Sequence, residues 1–296
     1  MKWKTALLAA AGMLAGANVF LGNRQLIVDR DTMYCSKLPD AFEGKKIMLM
    51  ADLHRKKFGK DYCNLLDTVR AASPDMIIMA GDLYSRGETK IGEKVRLLTA
   101  LNDIAPTYYT AGNHEPDDPE LLDAMLCKAK SLGVHALKNE LAVVCSGGER
   151  LNIYGLQLPL KYFINKDGSY HDLPVPDENT IARYLGTPDS NCCNLLIAHN
   201  PLFFPAYEKW GADMVFSGHV HGGMIRLPFI GGLLSPERKF FPKYSKGLYR
   251  RSNAVMAVTA GLGRKRINNP SQVMLLTLTA KKLPAKPRKG HAWELR

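Results

Sequence analysis

Five short clusters of metal-binding residue types, each directly after an apolar run, constrain this chain more than any other feature. They are Asp52-Leu53-His54, Gly81-Asp82, Gly112-Asn113-His114-Glu115, Ala198-His199-Asn200 and Gly218-His219-Val220-His221-Gly222-Gly223. The runs before them, at 46–51, 75–80, 107–111, 194–198 and 213–217, are rich in Ile, Met, Leu and Val and read as buried strands. Between them lie stretches of helical periodicity at 61–72, 88–103, 119–132 and 201–209. Such alternation predicts βαβ units with parallel pairing. The carboxyl ends of parallel strands share one edge of an open sheet, and ligands gather at that edge, so five distant fragments converge on one site.

Carboxylates and imidazoles mixed with one amide suit manganese, iron or zinc. Magnesium prefers an all-oxygen shell, and structural zinc prefers thiolates. Singly, each cluster says little: Gly-Asp is a common loop, and Asn-His is more often a turn than a ligand pair. Their conjunction carries the weight, since five of the eight histidines fall in these motifs. The other three have bland placements: His135 in or beside a strand, His171 in a polar loop and His291 in a basic tail.

The ordered pattern D-x-H, G-D, G-N-H, H and G-H-x-H, running from about Lys45 to about Gly263, resembles the calcineurin-like metallophosphoesterase superfamily. The ending Gly218 to Gly223, the N-terminal apolar segment and Gly261-Leu262-Gly263 look most like the bacterial membrane-associated group, which includes phosphodiesterases and UDP-diacylglucosamine pyrophosphatases. The resemblance implies an α/β fold, a four-layer αββα sandwich of two mixed sheets flanked by helices. It implies two divalent metal ions, with Asp52, His54 and His221 on one, Asn113, His199 and His219 on the second, and Asp82 bridging both. A hydroxide between the ions is then the expected nucleophile. His114 is the candidate for protonating the departing oxygen or stabilising its charge. Glycines at Gly81, Gly112 and Gly218 are expected to allow the tight bends that aim these side chains. Ser85 stands where protein serine/threonine phosphatases carry a further Asp, Arg86 reads as a surface loop residue with a phosphate contact through its planar fork as the alternative, and Glu115 replaces an Asp without being expected to ligate metal.

Residues 5–23 contain no charge and are flanked by Lys2, Lys4 and Arg24. Nineteen residues of helix at about 1.5 Å each span about 28 Å, close to one hydrocarbon core. The segment reads as a signal-anchor helix over 1–23. A cleaved signal peptide, with Ala15-Gly16-Ala17 near its end, is the competing reading. Either places the catalytic part outside the cytoplasm, anchored in one case and secreted in the other. A metallophosphoesterase domain is expected over 24–280 and a basic tail over 281–296.

Within that domain, 25–34 predicts an extra strand, and 132–158 predicts a strand meander around Gly147-Gly148, with Cys145 in the core; the resemblance implies that such strands build the second sheet. Residues 159–176 read as an irregular excursion that either covers substrate or is a passive insertion. The six cysteines have neither zinc-ribbon spacing nor the density of a disulfide scaffold.

The net charge of +12 is concentrated. Residues 224–251 carry a net +6 and the tail 281–296 a net +5, and the first segment also holds Phe229, Phe240, Phe241 and Tyr244. Basic and aromatic residues mixed beside a phosphoester site suit an anionic headgroup with an apolar tail or an anionic bilayer, the alternative being a solvated loop whose aromatics pack inward. The expected function is hydrolysis of a lipid-linked or membrane-proximal phosphodiester or pyrophosphate. A soluble nucleotide or cyclic nucleotide is the other substrate reading, and a non-catalytic scaffold the other class. The membrane is the expected partner, through the N-terminal segment and the basic-aromatic loop. No nucleic acid is expected, because no recognisable module accompanies the charge, and the chain is expected to be a monomer.

Overall fold

A computed structural model of the chain describes residue 3 and residues 25–227, 231–263 and 266–282. Residue 3 apart, the expected helix at 1–23 lies outside these, as does most of the basic tail. Among the described residues no helix is long and apolar enough to cross a membrane.

The apolar runs form strands, and the intervening stretches form helices. In chain order the strands are β1 (Leu26–Tyr34), β2 (Lys46–Met50), β3 (Met76–Ala80), β4 (Thr107–Thr110), β5 (His135–Ala136), β6 (Glu140–Ser146) and β7 (Glu149–Leu156). They continue as β8 (Cys193–Ala198), β9 (Met214–Ser217), β10 (Ile225–Leu227), β11 (Gly231–Leu234), β12 (Gly247–Arg251), β13 (Ala254–Val258) and β14 (Ser271–Thr279). The helices are α1 (Cys63–Ala72), α2 (Gly92–Asn102), α3 (Pro119–Ser131), α4 (Glu178–Leu185) and α5 (Phe204–Trp210).

Two mixed six-stranded sheets result. One has the order β1-β14-β2-β3-β4-β5 and the other β12-β13-β9-β8-β7-β6, while β10 and β11 form a separate hairpin. In the first, β2, β3, β4 and β5 run parallel; in the second, β7, β8, β9 and β13 do. Alternation along each strand then separates three cores. Met48, Met50, Ile77 and Met79 meet α1, α2 and α3 on one face of the first sheet. Ile47, Leu49, Ile78 and Ala80 face Leu195, Ile197, Phe216 and Val255 between the sheets. Leu196, Val215 and Met256 meet Ile181 of α4 and Phe204, Tyr207 and Trp210 of α5 on the far side. Three interlayer cores are the packing of a four-layer αββα sandwich. Because the central strands are covered on both faces, they read as continuous apolar runs.

Three local expectations change. The 132–158 region is not one meander: β5 pairs with β4 in the first sheet, and only the β6–β7 hairpin joins the second. Cys145 lies in β6 but is exposed, because β6 is an edge strand whose outward face carries it. In the basic-aromatic segment the aromatics divide, with Tyr244 buried and Phe240 and Phe241 exposed at 69% and 50%.

Candidate metal centre

All five clusters sit where parallel strands end: Asp52 and His54 after β2, Asp82 after β3, Asn113 and His114 after β4, His199 after β8, and His219 and His221 after β9. Backbone hydrogen bonds stitch the strand ends together. Asp52 N–H donates to Gly81 O at 3.0 Å, His54 N–H to Asp82 O at 3.1 Å, and Gly218 N–H to His199 O at 3.0 Å.

Two buried carboxylates form the centre. Asp82 Oδ1 accepts from the backbone N–H groups of Asn113 and His114 at 3.0 and 3.1 Å. Its other oxygen, Oδ2, lies 3.3 Å from His199 Nε2, 3.7 Å from His54 Nε2 and 3.8 Å from His114 Nε2. The Asp52 carboxylate accepts from His219 N–H at 3.1 Å, and its Oδ1 lies 3.8 Å from His199 Nε2 and 3.9 Å from His221 Nε2. Donor atoms of Asp52, His54 and His221, of Asp52, Asp82 and His199, and of His54, Asp82 and His114 lie within 4.8 Å of one another in each trio. Two ligands each about 2.1 Å from one ion sit roughly 3–4 Å apart. Most of these separations are too long for hydrogen bonds and fit groups facing a shared cation.

Donor chemistry fits a cation as well. His199 Nδ1 shares a 2.7 Å hydrogen bond with the carbonyl oxygen of Ala80. A proton held there by the carbonyl leaves Nε2 with the lone pair, and that atom is buried without a hydrogen-bond partner. Asn113 Oδ1 is likewise buried and unpartnered. Burial disfavours charge on His199, but the Asp82 and Asp52 carboxylates prevail and raise it to about 10. A proton is thus drawn to the place where a divalent ion would satisfy the same oxygens. Burial raises Asp52 to about 6 despite the His199 charge, whereas at Asp82 burial is outweighed by His199, His114 and His54, which hold it well below the usual range. Burial lowers His54 to about 4 and holds His221 well below its ordinary value, and neutral imidazole is the form that binds metal.

The bends are made differently from the expectation. Five motif residues themselves take the left-handed conformation: Asp52 (φ 55°), His54 (φ 51°), Asp82 (φ 53°), His219 (φ 68°) and His221 (φ 55°). Sparsely populated backbone of this kind persists only where the surroundings enforce it. Gly81 does turn, at φ 87°. Gly112 and Gly218 instead provide room: a Cβ on Gly112 would overlap the Asp82 carboxylate, and one on Gly218 would stand 2.7 Å from Asp52 Oδ2.

His219 is placed apart from the three donor trios. Its Nε2 lies 2.9 Å from Glu237 Oε1, and its ring meets His199 and Phe163 edge-on at centroid distances of 5.1 and 5.6 Å. Phe163 belongs to the 159–176 excursion, whose first half therefore packs on the site. Arg86 pairs with Asp117 at 2.9 Å, and its backbone N–H donates to His114 Nδ1 at 3.1 Å. Burial lowers the His114 pKa.

Three contributors are given no role in the site by the sequence alone. Glu115 is fully buried and accepts from Leu83 N–H at 2.6 Å, Gly112 N–H at 3.0 Å and Tyr109 O–H at 3.1 Å, tying the second motif to the third. Arg266 is buried, donates to Gly261 O at 3.0 Å and lies 3.2 Å from His221 Nδ1. Glu237 is a lone acid in a basic segment. Only for Glu115 was there a signal, its adjacency to Asn113-His114.

Several metallophosphoesterases are similar to this chain in sequence. Over 278 residues the chain is 25% identical to the uncharacterized metallophosphoesterase YkuE of Bacillus subtilis, covering 88% of each chain. It is 30% identical over 244 residues to an uncharacterized metallophosphoesterase of Helicobacter pylori, covering 80% of this chain and 60% of that protein's length. It is 25% identical over 243 residues to phosphodiesterase YaeI of Escherichia coli, covering 79% of this chain and 82% of that one. Residues 45–223 match the family described as calcineurin-like phosphoesterase. With the clustered carboxylates and imidazoles at its strand ends, the chain belongs to the calcineurin-like phosphoesterase family and is a metal-dependent phosphoester hydrolase.

Proposed function

We propose that the protein holds two divalent ions of manganese, iron or zinc, with Asp52, His54 and His221 on one, Asn113, His199 and His219 on the other, and Asp82 shared. The observation carrying this is the Asp82 carboxylate, anchored through Oδ1 by two backbone N–H groups while Oδ2 faces three imidazoles at 3.3–3.8 Å. When bound, the ions would supply a water of lowered pKa and neutralise charge on the attacked phosphoester. The chain's own residues position and polarise. With Nδ1 accepting from Arg86 N–H, neutral His114 carries its proton on Nε2, directed toward the centre. It can then donate a hydrogen bond to the departing oxygen.

The substrate we favour is a lipid-linked or membrane-proximal phosphodiester or pyrophosphate, as in the bacterial membrane-associated group of the family. A cavity of about 260 Å³ opens beside His219 and Val220 and is lined by Leu202, Lys239, Phe240, Phe241 and Lys243, with Glu237 beside Lys239 on its wall. Its apolar walls and lysines suit an anionic group attached to an apolar one, and the two exposed phenylalanines suit a bilayer surface. An anchor at 1–23 would hold the site there, with the catalytic domain outside the cytoplasm.

The test is a substrate panel of phospholipids, UDP-linked lipids, nucleotides and bis-p-nitrophenyl phosphate, run with each metal and with Asp82→Asn. Metal-dependent turnover that Asp82→Asn abolishes, with lipid substrates preferred, is expected. Full activity after chelation would sink the mechanism. Preference for nucleotides would replace the substrate reading and leave the chemistry standing.

A further inference from the structure

The segment after the last motif reaches back to the centre through one side chain. Glu237 lies between β11 and β12, in the turn that also carries the exposed Phe240 and Phe241, yet it is only 7% exposed. Its Oε1 is 2.9 Å from His219 Nε2, and Lys239 Nζ lies 3.5 Å from its other oxygen. A carboxylate can only accept here, so the proton of the neutral imidazole sits on Nε2 and the lone pair on Nδ1. The ring has little freedom otherwise. Phe163 and His199 stand edge-on to it, and the His219 backbone N–H is fixed on the Asp52 carboxylate.

We infer that Glu237 is a positioning residue of the metal centre, fixing His219 so that Nδ1 is its ligating atom and tying the 235–243 turn to the ion. The inference rests on His219 being a ligand, as proposed above. Carboxylates that accept the far N–H of a metal-bound imidazole raise its basicity and fix its orientation, and losing one typically costs about 10–100-fold in metal affinity. A surface ion pair would have no such effect.

The test uses the full chain, stripped with chelator and titrated with Zn²⁺ by calorimetry, alongside Glu237→Gln, Glu237→Ala and His219→Ala. Thermal melting of each apo protein shows that it is folded. For Glu237→Ala we expect one of the two sites to weaken by about 10–100-fold while the other is unchanged. Glu237→Gln, which keeps an acceptor oxygen, should fall between it and the native chain. The Co²⁺ absorption spectrum of the loaded Glu237→Ala protein should also differ from the native spectrum. Zn²⁺ binding by Glu237→Ala within twofold of native at both sites overturns the inference. Two ions retained by His219→Ala would overturn the ligand assignment beneath it, and the two failures are read from different variants.

Discussion

Glu115 holds two of the site's loops together from a fully buried position. Its carboxylate takes the Leu83 and Gly112 N–H groups, and truncation would orphan both in the interior. Each buried donor left unmade costs about 1–3 kcal/mol. Glu115→Ala should therefore lower stability by about 2–6 kcal/mol and reduce turnover through displacement of Asp82; denaturant melts and hydrolysis of bis-p-nitrophenyl phosphate check both. Glu115→Gln, with one acceptor oxygen for two N–H groups, should be intermediate. His114 is different in kind. His114→Ala should cut kcat by about 10²–10⁴-fold with the metal content unchanged. Loss of an ion by elemental analysis would instead make it a ligand, which its place in a trio with His54 and Asp82 permits sterically.

Among the elements, α4 was not anticipated and has no part in the site. It is eight residues long, follows a proline-rich stretch, and is held by an Asp177 cap that accepts from Thr180 N–H at 2.7 Å and Thr180 O–H at 2.6 Å. Those bonds hold the Asp177 carboxyl below its ordinary range. The cap is therefore complete above the pH at which an unfolded Asp ionises, and its contribution disappears as pH falls through the lowered value. Asp177→Ala should lower Tm by about 2–4 °C near neutral pH and by less in acid, without altering hydrolysis. A Tm change that is equal at both pH values would refute the cap's role. The contrast with β2, β3, β8 and β9 explains what was legible. Those strands are buried on both sides and end in ligand types, so local sequence reports them directly. The partner of Glu237 lies 18 residues away in sequence and across a hairpin, and no periodicity encodes it. Cys145 misled because an apolar run in an edge strand has one face with nothing over it.

At the scale of the molecule, the centre lies where the two sheets meet, Asp52, Asp82 and Asn113 coming from one and His199, His219 and His221 from the other. Ions held there would bind only the assembled sandwich, adding about 2.7 kcal/mol at a hundredfold excess over Kd. Chelation should lower Tm by roughly 5–10 °C, reversibly on adding Zn²⁺ or Mn²⁺, as followed by calorimetry. An unchanged Tm would show that the site does not join the sheets.

The strand order has a consequence for biosynthesis. β14 inserts between β1 and β2, pairing parallel with one and antiparallel with the other. Until residue 279 has left the ribosome, β1 has no neighbour and β2 has an open edge facing the gap. Every candidate ligand precedes that strand in the sequence, so the nascent chain carries the residues of the proposed metal centre while still unable to close the sheet beneath them. Such a chain is open to edge-to-edge association during synthesis, and its yield should depend on how quickly β14 is delivered.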